Sequence, residues 1–346
     1  MIDRFDPSEE LNWYPQSKET KKSHHLQNTI REFYKLDYLY FWLFEETLVT
    51  SSKFDEEYLD FVENHVKKKP IFISEKELKK DLVPIFNKWY FENYKIEQFL
   101  EASSKFLLAQ FHLQHQAYTH QVVCAPSLME IQLALKNVGK VILKNEFGFA
   151  GRGNLIFSLG ETFLGDTSRI VLEKFLDRVL DFSILWIDER KIIYQNSVSA
   201  KGQYQGSLFE KTLCDDVVAF LLKNQISEEQ IFQFLKYLKL LEEFWRSKLD
   251  STKNLNGVAD FFIFKDEKNF LHIHPCCEFN PRWSMGRVSF LLFKKIGELS
   301  RDYDTWSSFR LDFCNENDYL VPVTKGTKKV LISPKSRKPL VLSINF

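Results

Sequence analysis

The distribution of apolar and polar positions divides this chain into stretches with a helical period and stretches with a strand-like one. After Ser227, apolar residues return every three or four positions at Ile231, Phe234, Leu235, Leu238, Leu241 and Trp245, and Ser227 with Gln230 supplies a capping signal. This predicts a strong helix with one buried face. "LMEIQLALKN" has the same period, opens on the capping-box spacing of Ser127 and Glu130, and ends at Gly139, a residue suited to a C-cap. Short apolar runs follow at Val141–Leu143, "NLIFS", "RIVLEKF", "FSILWI" and "KIIYQNSV", spaced as hairpins of an antiparallel sheet. Two further strands are expected at "GVADFFIF" and "NFLHIHPCCEFN", and a last one at "LVLSINF". Residues 1–115 read as mostly helical, with one strand candidate at Ile71–Ile73 followed by a capping box of Ser74 and Glu77. No internal repeat, low-complexity tract or heptad run interrupts this mixture, which predicts an α+β protein.

Composition narrows the class. With 346 residues, 44% hydrophobic and 27% charged, the chain can bury a substantial core and has the length of two or three subdomains. Lys+Arg and Asp+Glu are both 47, so no bulk field draws it to nucleic acid or to an anionic membrane. The basic stretch Lys325–Lys338 is expected to be a solvated loop before the last strand. Five cysteines without regular spacing or a CxxC pair point to a reducing compartment, and no early segment has the apolar core of a signal peptide. The run "YLYFWLF" at 38–44 is too short to span a bilayer. The expectation is a soluble, cytoplasmic protein.

Candidate chemistry begins at "KNVGKVILKNEFGFAGRGNLIFS", residues 136–158, where a strand ending in Lys144 meets Gly148, Gly151 and Gly153 around Arg152. The GxxxxG spacing lacks the Lys and Ser/Thr of a Walker A loop, since Asn154 and Leu155 follow. A dinucleotide-binding turn would open a helix, whereas "NLIFS" reads as strand. A strand–loop–strand remains, either an ordinary tight hairpin or a flexible loop whose amides fold over phosphates beside Lys144 and Arg152.

A second constellation favours the phosphate alternative. Asp260 lies in one apolar strand, and Glu278 and Asn280 lie two apart at the end of the next, hence on one face. Asp, Glu and Asn are hard oxygen ligands suited to Mg2+, and a carboxylate pair buried without a cation is costly. Arg282 adds a fork for a phosphoryl or carboxylate oxygen.

With these elements in this order, residues 125–300 resemble the ATP-grasp superfamily. "VILKNEFGFAGRGN" is similar to its phosphate-binding strand and glycine-rich lid, "IVLEKFL" to its adenine-reading hinge, and "GVADFFIF" with "EFNPR" to its metal-binding strands. The resemblance implies an ATP-grasp fold with two α/β subdomains gripping ATP between antiparallel sheets. Residues 1–124 would form a helix-rich N-terminal region, 125–200 the small subdomain and 201–346 the large one. It implies that Lys144 and the amides of Gly148, Gly151 and Gly153 contact the phosphates, that Glu173 accepts from the adenine amino group, and that the backbone of Lys174, Phe175 and Leu176 completes the adenine slot. Asp181, or in its place Asp177, would hold the ribose, and Asp260, Glu278 and Asn280 would ligate Mg2+. Arg152 and Arg282 would offset charge on the transferring phosphoryl group. Lys201 in "SAKGQYQG" is either a phosphate or substrate contact or a solvated lysine. The implied activity is an ATP-dependent ligase that activates a carboxylate as an acyl phosphate for attack by an amine, with small-molecule or peptide substrates and, by analogy, a homodimeric state. The alternatives are an ATP-grasp kinase or carboxylase, or an ATP-binding regulatory module without turnover.

Three features stay outside this scheme. His272, His274 and Cys276 alternate into Glu278, which suggests a soft metal site, but Pro275 interrupts the alternation and packing beside the nucleotide is expected. His112, His115 and His120 are read as surface or core polar contacts. Cys276 and Cys277 are read as buried small residues.

Overall fold

The structure is a computed structural model that describes residues 2–4, 39, 47–50, 56–66, 72–74, 85–87, 95–118, 120, 122–148, 154–187, 189–199, 204–249, 255–282, 284–299, 303–313, 327–331, 333 and 340–346. In chain order its elements begin with β1 (Ile2–Arg4), β2 (Thr47–Thr50), α1 (Glu56–Val66), β3 (Phe72–Ser74), β4 (Ile85–Asn87), α2 (Ile96–Ser103) and α3 (Lys105–Gln114). They continue with β5 (Val122–Cys124), α4 (Leu128–Val138), β6 (Lys140–Asn145), β7 (Asn154–Ser158), β8 (Ile170–Lys174), β9 (Asp177–Ile187), β10 (Arg190–Val198) and β11 (Tyr204–Glu210). The remainder are α5 (Val217–Lys223), α6 (Glu228–Lys248), β12 (Gly257–Lys265), β13 (Leu271–Asn280), α7 (Met285–Leu299), β14 (Ser308–Phe313), β15 (Thr327–Leu331) and β16 (Leu340–Asn345).

The chain divides into two compact units, one of residues 1–93, 205–211 and 282–346, the other of 94–204 and 212–281. The first contains a sheet in the order β3-β2-β1-β4, all pairs parallel. The strand candidate at Ile71–Ile73 appears as β3, one residue along, while β1, β2 and β4 correct the expectation of a mostly helical region with that strand alone. Strands of three or four residues hold too few positions to display period two, so β1, β2 and β4 do not announce themselves. The expected capping box at Ser74 and Glu77 extends outside the described residues. In the same unit β11, β14, β16 and β15 follow one another in antiparallel order. The final strand lies where its alternation predicts. Within the basic stretch, residues 327–331 form β15 paired to β16 rather than a solvated loop.

The second unit holds two sheets. One has the order β5-β8-β6-β7 and the other contributes β13-β12-β9-β10. The runs expected to form one series of hairpins therefore split. β8 inserts between β5 and β6, while β9 pairs with β10 and β12. Only Phe175 and Leu176 separate β8 from β9, and both flanks are apolar, so the sequence reads as continuous where the chain passes from sheet to sheet.

Helix α4 begins on the expected capping box, with Ser127 accepting from the Glu130 amide and the Glu130 carboxylate accepting from the Ser127 amide, and ends at Gly139 with φ of +73°. Its Ile131, Ala134 and Leu135 pack with Val141, Leu143, Ile170 and Leu172 on one face of the small sheet. On the opposite face Phe106 and Ala109 of α3 meet Val122 and Val171. Helix α6 buries Ile231, Phe234, Leu238, Leu241 and Trp245 against Phe182, Phe261 and Phe279 of the larger sheet. Each such side chain contributes about 1.5–3 kcal/mol. Leu235 is 37% exposed and falls off that face. No described helix is long and apolar enough to cross a membrane.

Candidate functional site

The small sheet places the first pair of functional side chains. Ile142 lies opposite Glu173 and Lys144 opposite Val171, so Lys144 and Glu173 are diagonal neighbours on one face, close enough for a long side chain to bridge. Lys144 Nζ donates to Glu173 Oε2 at 2.7 Å, and both residues are buried. The same carboxylate lies 3.1 Å from His274 Nε2 and accepts from the Tyr118 hydroxyl at 3.4 Å. Burial by itself would raise the Glu173 pKa, but the Lys144 ammonium and the neighbouring His120 and His274 rings hold it well below the usual carboxylate range. Burial lowers His274 to about 4 despite the neighbouring carboxylate.

The larger sheet turns a polar row away from its α6 side. Asp260 pairs with Glu278 on one side and with Ser183 on the other, and Ser183 with Tyr194. Asn280, opposite Val258, shares the face. Ser183 donates to Asp260 Oδ1 at 2.5 Å, Asn280 Nδ2 to Asp260 Oδ2 at 3.3 Å, and Asn196 Nδ2 to the Ser183 hydroxyl. A bulge then breaks the register. Two steps along β12, from Asp260 to Phe262, span four along β13, from Glu278 to His274. Its extra residues put Cys276 into the apolar core while His274 and Glu278 keep the polar face. His274 stacks on Phe262 at 4.3 Å between ring centres. The alternation of His272, His274 and Cys276 thus fails at Pro275, as the sequence suggested. Burial raises the thiol of Cys277 to about 12 and that of Cys276 well above its ordinary value, so both stay protonated.

Lys105, at the start of α3, links the two groups. Its Nζ is 3.1 Å from Glu278 Oε2 and donates to the carbonyl of Gly148 at 3.5 Å, so one buried ammonium touches both the carboxylate row and the entry to the glycine loop. The backbone around it is fixed by Glu146, whose carbonyl accepts from the Lys105 amide at 3.0 Å and whose carboxylate accepts from the Ser104 hydroxyl at 2.7 Å and pairs with Arg169 at 3.0 Å.

A cavity of about 630 Å³ opens beside the hinge, lined by Glu173, Lys174, Phe175, Leu176, His120 and the β12–β13 turn, among others. That turn is tied to the hinge by Lys174 Nζ and Glu267 at 2.7 Å. Asp181, on β9, is paired with Arg178, and its burial raises its pKa despite the guanidinium.

The structure therefore brings together Lys144, Gly148, Glu173, Asp260, Glu278 and Asn280 through Lys105 and His274, and puts Lys174, Phe175 and Leu176 on a cavity wall. Gly151, Arg152, Gly153 and Lys201 lie outside the described residues. Arg282 is buried and belongs to the first compact unit. Sequence reasoning missed Lys105, Ser183 and Tyr118, and read His120 only as a polar contact. Lys105 had a legible signal, since it shares a helix face with Leu108, Ala109 and His112, where a charge is out of place. Ser183 had another, as a polar residue inside "DFSILWI" spaced two from Asp181.

Two antiparallel sheets are joined by a two-residue hinge, with Lys144 at the end of a strand of one and Asp260, Glu278 and Asn280 on one face of the other. The fold is of the α+β class, as the sequence pattern predicts. No family model matches the chain, and no curated protein matches it. Among solved structures, N5-carboxyaminoimidazole synthetase from Staphylococcus aureus is similar at 11% identity and a TM-score of 0.47, over 90% of this chain and 91% of that one. Biotin carboxylase from Campylobacter jejuni, in complex with β-γ-ATP, is similar at 12% identity and a TM-score of 0.45, over 86% of this chain and 70% of that one. D-alanyl-alanine synthetase A from Vibrio cholerae is similar at 9% identity and a TM-score of 0.35, over 68% and 67% of the two chains.

Proposed function

We propose that this chain is an ATP-dependent ligase that activates a carboxylate and passes it to an amine. The observation that supports this most strongly is Lys105, which joins the glycine-loop carbonyl to the Glu278 carboxylate within one side chain's reach. A positive charge therefore stands between the Gly148 carbonyl and the carboxylate row of Glu278 and Asp260. The residues present fit Mg2+. Asp260 and Glu278 face each other across the ladder, Asn280 lies on the same face, and an ammonium takes the part of a cation against Glu278. Asp260, Glu278 and Asn280 would hold the ion, which when bound supplies charge neutralisation to a nucleotide's phosphates.

In this proposal Lys144 and Lys105 contact phosphate oxygens, joined by Arg152, Lys201 and Arg282. Glu173 accepts from the adenine amino group, the backbone of Lys174 to Leu176 closes the base slot, and Asp181 or Asp177 holds the ribose. A substrate carboxylate oxygen bonds to the γ-phosphorus as the bond to the bridging oxygen breaks, giving an acyl phosphate and ADP. An amine nitrogen then bonds to the acyl carbon, phosphate departs with the bonding pair, and the amine gives up a proton. The chain's contribution is placement and electrostatics, with donors fixed before charge develops and a lid that excludes water from the acyl phosphate. No side-chain nucleophile takes part. Residues 125–200 and 201–346 would serve as the small and large subdomains. ATP binding measured with and without Mg2+, on wild type and on Glu278→Gln, is the experiment that tests this proposal.

A further inference from the structure

His120 precedes β5, Glu173 lies in β8 and His274 in β13, yet one ligand atom of each falls within 4.8 Å of the others. His274 Nε2 is 3.1 Å and His120 Nε2 3.9 Å from the same oxygen, Glu173 Oε2. Zinc holds nitrogen and oxygen ligands at about 2.0–2.2 Å, which sets neighbouring donors of a tetrahedron about 3.3 Å apart. The two histidine–carboxylate separations bracket that value.

Two further observations suit a cation at this position. The His120 side chain is only 6% exposed, and neither of its ring nitrogens has a hydrogen-bond partner. A buried polar atom left unpaired costs about 1–3 kcal/mol, so such an atom calls for a ligand. His274 presents acceptors on both sides of its ring, with Nδ1 2.5 Å from the Pro275 carbonyl and Nε2 3.1 Å from Glu173. A cation on Nε2, with the proton on Nδ1 donated to the Pro275 carbonyl, satisfies both. A backbone carbonyl holding the second ring nitrogen is the usual support of a metal-ligating histidine.

We propose that His120, His274 and Glu173 form a second metal site, for a borderline-soft divalent cation of the zinc class, separate from the hard-ligand row of Asp260, Glu278 and Asn280. Three protein ligands leave the fourth position to water or to a molecule in the cavity that His120 and Glu173 line. The ion displaces Lys144 from Glu173 Oε2, where the ammonium now stands at 2.7 Å. A metal on Oε2 withdraws charge from Glu173 and occupies one of its two oxygens, so zinc is expected to weaken nucleotide binding. That last consequence rests on the nucleotide proposal, whereas metal binding does not.

The test uses the full chain, stripped with a chelator and titrated with Co2+ as a spectroscopic probe, then with Zn2+. With excess Mg2+ present to fill the hard-ligand row, wild type is expected to take up one Co2+ per chain with the intense visible bands of a four-coordinate site, and Zn2+ to bleach them. His120→Gln and His274→Gln should each lose the bands and the bound equivalent, while His115→Gln should keep both. Should His274→Gln fail to fold, His120→Gln decides the matter, because it removes no hydrogen bond. An unchanged spectrum and stoichiometry in His120→Gln, or only weak six-coordinate bands in wild type, would overturn the site. Metal uptake that leaves ATP binding untouched would overturn the assignment of Glu173 to the base and leave the metal site standing.

Discussion

Replacing Lys144 by Met leaves the Glu173 carboxylate buried without its ammonium, and the cost can be worked from the geometry. At 2.7 Å and an effective dielectric constant near 20, the pair attracts by about 6 kcal/mol before desolvation is counted. Removing one partner of a buried pair costs about 3–5 kcal/mol. The contacts from His274 and Tyr118 remain on Glu173, which puts the expected loss at the lower end, about 3 kcal/mol. Two compact units make a single global transition a poor reporter, so the assay is amide hydrogen exchange on peptides covering β6 and β8. A loss of that size raises the opening equilibrium there by about a hundredfold. Glu173→Gln combined with Lys144→Met removes both charges and should return protection to within about 1 kcal/mol of wild type. Losses that simply add in the double variant, or a single variant whose exchange matches wild type, would show that the pair is not coupled and that the geometry around Glu173 is misjudged.

Two other outcomes follow from the same unit. His112 is buried against the Cys276 carbonyl and the Tyr237 hydroxyl, and burial lowers its pKa from 6.5 to about 3 against a partly opposing backbone hydrogen bond. Its contribution to stability is full above about 6.5 and is lost as pH falls from there toward 3, because the unfolded chain takes up a proton that the folded one refuses. The melting temperature should fall across that window, with His274, Glu173 and Lys144 as the nearby charges, and a His112→Gln variant with the same slope would count against it. Gly257→Ala is expected to cost about 1–3 kcal/mol, since a Cβ there would meet the Phe279 ring at 2.6 Å and the Asn280 carbonyl oxygen at 2.9 Å. A thermal scan showing no loss would mean the β12–β13 junction is looser than described.

The legible parts of the sequence were those with enough residues to show a period or a spacing. Helix α6 displayed its buried face and helix α4 both of its caps, and strand β13 carried Glu278 and Asn280 two apart on one face. Lys144, Glu173 and Asp260 were readable as residue types in order, but their partners were not. The Lys144–Glu173 pair depends on β8 entering the small sheet between β5 and β6, which nothing local encodes across the continuous apolar run through Phe175 and Leu176. His120 and His274 each belonged to a histidine cluster that looked unpromising by itself. They meet only because a bulge at Pro275 keeps His274 on the face of Glu278 while sending Cys276 into the core. In the parallel sheet only β3 was legible, as the apolar run Ile71–Ile73 before a capping signal; β1, β2 and β4 are too short to show a period.

The most direct test of the central claim is calorimetric titration of the full chain with ATP, ADP and GTP, with and without Mg2+, repeated on Glu278→Gln. The account predicts saturable ATP binding that Mg2+ strengthens, and a Glu278→Gln protein that keeps its fold but loses the Mg2+-dependent increment. ATP affinity indifferent to Mg2+ in wild type, or no nucleotide binding under any condition, would contradict it.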